Sequence, residues 1–152
     1  MADNQRYRSG PVSEVKTRVK AGVQCDVGDL VTMVTPGKVE PFGVLTAANF
    51  RTTFVGVLVQ GHTTGNETTD TPCLVYTFCE AEFDLSAAAG AAVEIGGLVA
   101  ASADQVVATG GILGAAGTGT AIGRLARRVE VGDTKALVRI ESVLFGGSQP
   151  LT

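Results

Sequence analysis

The side chains best suited to nucleophilic or zinc chemistry in this sequence are one histidine and three cysteines. Cys73 and Cys79 lie six residues apart in an alternating segment, and His62 lies in a polar, threonine-rich stretch. In an extended strand that spacing puts the two cysteines about 20 Å apart, whereas structural zinc ligands come in closely spaced pairs. We therefore expect no metal site and no Cys/His or Ser/His catalytic centre. The cysteines, Cys25 included, are expected to be reduced thiols that pack as small apolar residues.

Three acidic residues form a second group that could do chemistry. Glu80, Glu82 and Asp84 alternate with small or apolar residues at the end of a strand-like segment. Paired carboxylates can act as acid and base in catalysis, or bind calcium. We interpret these three as a solvated strand end, so that the sequence predicts no catalytic residue.

A glycine-rich stretch, residues 109–120, resembles a phosphate-binding loop at first sight. A P-loop needs a Gly-Lys-Ser/Thr sequence that opens a helix, and the stretch contains no lysine. The spacing of Gly117, Gly119 and Gly123 is one residue too long for the dinucleotide-binding pattern G-x-G-x-x-G. The stretch is expected to be a flexible connection, and no cofactor is predicted.

The elements that carry these residues alternate between apolar and polar positions, which is typical of strands. Phe54–Gln60 is a nearly continuous apolar run and predicts a central strand that is buried on both faces. Residues 73–83 predict the longest strand, with Cys73, Val75, Thr77, Cys79, Ala81 and Phe83 on one face. Further predicted strands are residues 15–21 and 30–34, a pair at 92–101 and 105–108, and a hairpin of 122–131 and 135–143 around Gly132-Asp133.

The sequence thus predicts an all-β protein, a small β-barrel or β-sandwich-like domain with an extended N-terminal arm. The domain is expected to span residues 12–143, between a flexible arm (1–11) and a C-terminal tail (144–152). The alanine-rich residues 85–92 are open to either a helical turn or a loop. The turn sequence at 26–31 is repeated at 130–133, and the similarity is interpreted as shared turn chemistry without inferring a duplication.

Charge is distributed unevenly along the chain. Residues 1–20 carry five bases and two acids, and residues 21–123 carry two bases and ten acids. A basic strand face with a basic arm before it favours docking on an acidic protein surface, whereas nucleic-acid binding would call for interleaved aromatic residues. The predicted binding residues are Arg6, Tyr7, Arg8, Lys16, Arg18 and Lys20. No apolar stretch is long enough to span a membrane, and the polar N-terminus lacks a signal peptide, so a cytosolic origin is expected.

The order of several short motifs resembles a known family. Val23–Val31 reads V-x-x-x-x-G-D-L-V, Val55–Leu58 reads V-G-V-L, and Gly90–Val99 reads G-x-A-V-x-x-G-x-x-V. Ala121–Leu125 (A-I-G-R-L) and Ala136–Ile140 (A-L-V-R-I) follow. This order is similar to that of the small decoration, or cement, proteins of tailed bacteriophage capsids, over about residues 12–141. The threonine-rich loop 62–72 and the C-terminal tail have no counterpart in the pattern.

The resemblance implies a β-domain that binds the outer surface of the expanded capsid, usually as a homotrimer, with a dimer as the alternative. It implies the major capsid protein as partner, and a location on the outside of the virion after synthesis in the host bacterial cytoplasm. It implies no reaction, cofactor, nucleic acid or membrane. Two other readings stay open: a tail, baseplate or head-to-tail joining component, and a small trimeric β enzyme of the dUTPase type, which Phe145–Ser148 faintly resembles.

Overall fold

The computed structural model describes residues 7–35, 37–41, 54–85, 87–103, 106–107 and 121–142. These residues contain strands and turns but no helix, which confirms the predicted all-β fold. The strands are β1 (Tyr7–Val19), β2 (Gln24–Cys25), β3 (Leu30–Thr35), β4 (Lys38–Pro41), β5 (Phe54–Gln60), β6 (Thr63–Thr64), β7 (Thr71–Leu85), β8 (Leu98–Ala103), β9 (Val106–Val107), β10 (Ala121–Leu125) and β11 (Lys135–Glu141).

The main sheet closes on itself twice, and both closures use β7. Ring 1 runs β1-β4-β3-β5-β7 and closes where β7 pairs with β1. Ring 2 runs β7-β9-β8-β10-β11 and closes where β11 pairs with β7. β7 has 15 residues and is about 50 Å long, so its first part can pair in ring 1 and its last part in ring 2, with an overlap at residues 78–81. The short strands β2 and β6 form a separate pair beside ring 1.

The two rings repeat the same topology. Each begins with a parallel pair, β1 with β4 in ring 1 and β7 with β9 in ring 2. Antiparallel pairs follow in the same order, β4-β3-β5-β7 and β9-β8-β10-β11. Ring 2 is therefore a structural repeat of ring 1 that begins on the strand with which ring 1 ends.

Three turns of the same type lie in the connections between strands of these rings, at residues 26–29, 94–97 and 130–133. In each, the amide of the fourth residue donates to the carbonyl of the first, at 3.1, 3.2 and 3.1 Å. In turns 26–29 and 130–133 the fourth residue is an aspartate, whose carboxylate accepts from the amide of the first residue at 2.9 Å. The third position is a glycine with φ near +90° in every case, a conformation that other residues rarely adopt. The repeated turn sequence therefore reflects a repeat of structure as well.

A glycine stands at equivalent places in β5 and β10, next to the strand that closes each ring. A Cβ on Gly56 would collide with the carbonyl oxygen of Tyr76 in β7. A Cβ on Gly123 would collide with the carbonyl oxygen of Arg139 in β11. The close approach of two backbones thus requires glycine at both positions.

The apolar side chains form one cluster for each ring. Val19, Val31, Val39, Val55 and Val75 belong to the cluster of ring 1. The larger cluster of ring 2 contains Phe83, Val99, Ile122, Leu125, Val138 and Ile140. The predicted inward face of β7 is confirmed, since all six of its predicted members are buried.

Strand β5 packs against both clusters. Val55 and Leu58 belong to the ring 1 cluster, whereas Phe54 and Val57 belong to the ring 2 cluster. A register shift against β3 at this point, typical of a β-bulge, changes which side chains face inward. The prediction that β5 is buried on both faces is confirmed, because its first five residues are buried.

The predicted hairpin and the predicted N-terminal arm differ from the structure in their bounds. The hairpin strands β10 and β11 end earlier than predicted, because residues 126–134 form a longer connection in which Val129 pairs with Val93 instead. Strand β1 begins at Tyr7, inside the segment predicted as an arm, because its first residues pair with β7. The described residues 87–92 contain no helical turn. Residues 1–6, 108–120 and the tail 144–152 lie outside the described residues.

Candidate functional site

The second half of strand β1 carries the exposed basic face that the sequence predicts. Lys16 and Arg18 are exposed, whereas Val15 and Val19 alternate with them and pack in the ring 1 cluster. Lys20 directly follows the strand and is exposed as well. Period-two alternation therefore brings together three of the six predicted binding residues.

The other three predicted binding residues lie toward the N-terminus. Arg6 lies outside the described residues. Tyr7 and Arg8 belong to β1, where Tyr7 is opposite Ala81 of β7, and only their backbone is described. Their part in binding stays a prediction.

Lys38, which sequence reasoning missed, lies beside Arg18 in the parallel pair of β4 and β1. Its Nζ is 2.9 Å from a carboxylate oxygen of Asp70, whose other oxygen accepts from the amide of Ala21 at 3.0 Å. The hydrogen bond from Lys38, followed by that from Ala21, holds the pKa of Asp70 below its usual value. Spacing along the chain carries no signal of this pairing, because it depends on how two distant strands meet.

Lys16, Arg18 and Lys20 lie outside the ion pairs of the described residues, although the charge of Arg18 helps to lower the pKa of Asp70. Glu14 is an exposed carboxylate further along the same strand. The face therefore carries an excess of positive charge that the described part of the chain does not neutralise.

The acidic residues of β7 have a different environment. Pairing of β7 with β11 places Glu80 opposite Arg139 and Asp84 opposite Lys135. Each acid has a cation within ion-pair distance, and the pairs are Glu80–Arg139 (3.2 Å), Glu82–Arg127 (3.9 Å) and Asp84–Lys135 (3.5 Å). The strand end expected to be solvated therefore carries a row of ion pairs, two of them between β7 and β11, and its glutamates are half-buried.

Two open grooves lie along β1. One has a volume of about 490 Å³ and is lined by Glu14, Lys16, Gln60 and Leu74, among others. The second, which we call the apolar groove, has a volume of about 210 Å³ and lies between β1, β3 and β4. Its lining includes Val15, Met33, Val39 and Val55, with Lys16 and Lys38 at the margin.

The cysteine thiols are poorly placed for chemistry. Cys25, Cys73 and Cys79 are buried and form no disulfide. Burial raises the pKa of Cys73 to about 11, and burial with the nearby charge of Glu80 raises the pKa of Cys79 to about 12. Both thiols therefore stay protonated at neutral pH and are weak nucleophiles.

His62 makes a structural contact. Its Nδ1 lies 3.3 Å from the carboxylate of Asp26, the first residue of turn 26–29. The contact links the loop after β5 to the turn before β3. Within the described ranges, no three or more His, Cys, Asp or Glu side chains are arranged to hold a metal ion. The same ranges contain no helix of the length and apolarity needed to cross a membrane.

The basic face combines cations outside the described ion pairs, an apolar groove and a strand that pairs with β4 only at Arg18 and Val19. This combination suits the binding of another protein through charge and backbone contacts. No protein-family model matches the chain, and no curated protein sequence matches it. The geometry of the described residues and the order of the motifs therefore carry the functional argument.

Proposed function

We propose that this protein is a structural component of a virion, which binds the outside of an expanded tailed-phage capsid and cements neighbouring capsomers. The observation that carries the proposal is the exposed face of Lys16, Arg18 and Lys20, whose charges the described part of the chain does not pair. A rigid ring behind the face fixes its geometry, because Val15 and Val19 are packed inside. The motif order of the decoration proteins supports the same partner, the major capsid protein.

A cement protein stabilises a shell by binding the expanded state better than the unexpanded or broken state. The free energy gained at each site can be modest, because many copies bind each particle. Assembly as a homotrimer would place three basic faces on one local symmetry axis, and such multivalent contact increases occupancy strongly. The protein acts by contact alone in this proposal and has no catalytic activity.

The test is the attachment of purified protein to expanded particles that lack it, followed by thermal unfolding of the particles. We expect decorated particles to melt at a higher temperature than bare ones. The double reversal Lys16→Glu/Arg18→Glu should reduce attachment by about tenfold or more, because it replaces attraction with repulsion. Higher salt should narrow the difference between this variant and the unmodified protein.

A matched control reverses two cations of ring 2, Arg127→Glu/Arg128→Glu, which changes the net charge equally. These side chains form exposed ion pairs with neighbouring acids, so their reversal should leave attachment nearly unchanged. Equal melting of decorated and bare particles would overturn the cementing role. Location on the tail of intact virions, seen by imaging, would favour a tail or baseplate component instead.

A further inference from the structure

Strand β1 has one edge that is only partly covered. Its edge toward β7 is paired from Tyr7 to Val19. Its opposite edge pairs with β4 only at Arg18 and Val19. Between residues 7 and 16 no other described strand pairs with this side, which we call the open edge. At its end, the Oγ1 of Thr17 donates to the carbonyl of Gly37, in the turn before β4, at 2.8 Å.

The backbone of the open edge is oriented for a further strand. The amide of Lys20 donates to the carbonyl of Val39 on the β4 side at 3.1 Å. Because backbone groups alternate between the two edges of a strand, the amide and carbonyl of Lys16 also point toward the β4 side. Lys16 thus offers one donor and one acceptor to an incoming chain.

Ring 2 shows how the equivalent edge is used within the molecule. β7 corresponds to β1, and its edge pairs with β9 only at Asp84 and Leu85. That same edge continues as the antiparallel pair with β1, whose Tyr7 lies opposite Ala81. In ring 1 no described strand occupies the corresponding place beside β1, so an antiparallel strand fits there by the same geometry.

The side chains beside the open edge indicate which strand fits. The apolar groove lies on this side of β1, because its walls include Val15 from β1 together with Met33 and Val39 from β3 and β4. Lys16 and Lys38 stand at its margin. An apolar side chain of an incoming strand would fill the groove, and a carboxylate next to it would meet Lys16, since Lys38 is already paired with Asp70.

We propose that the open edge of β1 binds an extended segment of a partner protein in which acidic and apolar residues alternate. The segment adds to ring 1 as an antiparallel strand. A second copy of β1 is a poor occupant, because it would bring Lys16 and Arg18 close to the same cations of its neighbour. The inference rests on the proposed function only for the identity of the partner, the major capsid protein.

The direct test uses a capped octapeptide of alternating glutamate and valine as the probe, titrated into the isotopically labelled protein. We expect the backbone amide signals of residues 14–18 to shift and the amide of Lys16 to exchange more slowly with solvent. A peptide of alternating lysine and valine should bind at least about tenfold more weakly, since its charges repel those of the face. Shifts confined to other surfaces, or equal binding of both peptides, would overturn the proposal.

Two substitutions at one position separate backbone pairing from charge. Lys16→Pro removes the amide on the open edge, and proline is tolerated at a strand edge. Lys16→Gln removes the charge and keeps the amide. The proline variant should lose peptide binding, whereas the glutamine variant should weaken it only severalfold; equal affinities would overturn the pairing. If the proline variant fails to fold, unchanged exchange at the Lys16 amide of the unmodified protein under saturating peptide would overturn it.

Capsid attachment distinguishes this inference from the proposed function. Attachment that survives Lys16→Pro but is lost on reversal of Lys16 and Arg18 would retain the capsid role and reject strand addition. Peptide binding at the open edge without any attachment to expanded particles would retain strand addition and reject the capsid role.

Discussion

Ring 1 and ring 2 share their topology and differ in whether the charged side chains on their surfaces form ion pairs. In ring 2, the acids of β7 are opposite cations, so that Glu80 and Arg139 satisfy one another. In ring 1, Lys16 and Arg18 of β1 are exposed, and Lys16 forms no ion pair with any described residue. The strand order therefore sets the scaffold, while the surface of each copy can take a separate role.

The related turns of the two rings differ in how deeply they are buried. Asp29 of turn 26–29 is buried, whereas Asp133 of turn 130–133 is half-buried and its hydrogen bond is exposed, although both make the same hydrogen bond. Val131, the second residue of its turn, is 67% exposed, and Val27 at the same position of turn 26–29 is half-buried. One turn is thus enclosed by the fold and the other is a surface feature.

The largest effect is expected from a core residue of the shared strand. Phe83→Ala should lower the free energy of unfolding by about 3–5 kcal/mol, because it leaves a cavity in the ring 2 cluster. Since β7 belongs to both rings, hydrogen exchange should accelerate in β3 as well as in β11. Val131→Ala is the control and should change stability by less than about 0.5 kcal/mol. Unchanged exchange in β3 would show that the rings unfold independently.

The equivalent glycines provide a matched pair. Gly56→Ala and Gly123→Ala should each cost about 3 kcal/mol or more, because the new methyl group meets a backbone carbonyl that no side-chain rotation can move. Urea unfolding measures both, with Gly90→Ala as the control, since a Cβ there meets nothing within 4 Å. A loss of stability at only one of the two positions would show that the two glycines are not equivalent.

Replacement of the aspartate by alanine should destabilise the protein to different extents in the two turns. Asp29→Ala leaves a buried amide without its acceptor and should cost about 2 kcal/mol. Asp133→Ala exposes the corresponding amide to water and should cost less than about 1 kcal/mol. Thermal unfolding of the two variants at neutral pH measures the difference. Equal costs would mean that burial does not set the value of this hydrogen bond.

The smallest effect concerns the pH dependence of the Lys38–Asp70 pair at the border of the basic face. The pair's contribution to the free energy of unfolding is fully present above the unfolded-state pKa of the Asp70 carboxyl, about 3.9. It is lost as the pH falls through the lower folded-state pKa of that carboxyl. Lys38→Gln should therefore destabilise the protein at pH 6, and the difference from the unmodified protein should shrink below about pH 4. Melting temperatures across this range, with Asp70→Asn as the comparison, measure it. A difference that is constant with pH would exclude the pair as its source.

Periodicity alone predicts the parts of the fold that are local. The buried and exposed faces of β7 follow from period-two alternation, and the burial of β5 follows from its apolar run. The exposure of Lys16 and Arg18 follows from the same rule. These properties depend only on neighbours along the chain, so one strand is enough to reveal them.

The closure of the rings is not local, and the sequence does not reveal it. The parallel pair that places Lys38 beside Arg18 joins strands with no common pattern. The third related turn, at 94–97, lacks the aspartate of the other two and is recognised from its hydrogen bonds. The open edge of β1 likewise follows from where β4 begins relative to β1, which spacing does not encode.

The strand shared by the rings has a consequence for synthesis of the chain. A ribosome releases residues in order, and the N-terminal part of a protein can fold while the rest is still being made. Ring 1 lacks its closing strand until Thr71–Leu85 has emerged, so β1 must wait for a partner that follows about fifty residues later. The nascent chain therefore carries the open β1 for much of its synthesis, and the charges of Lys16 and Arg18 on this strand reduce mispairing between neighbouring nascent chains.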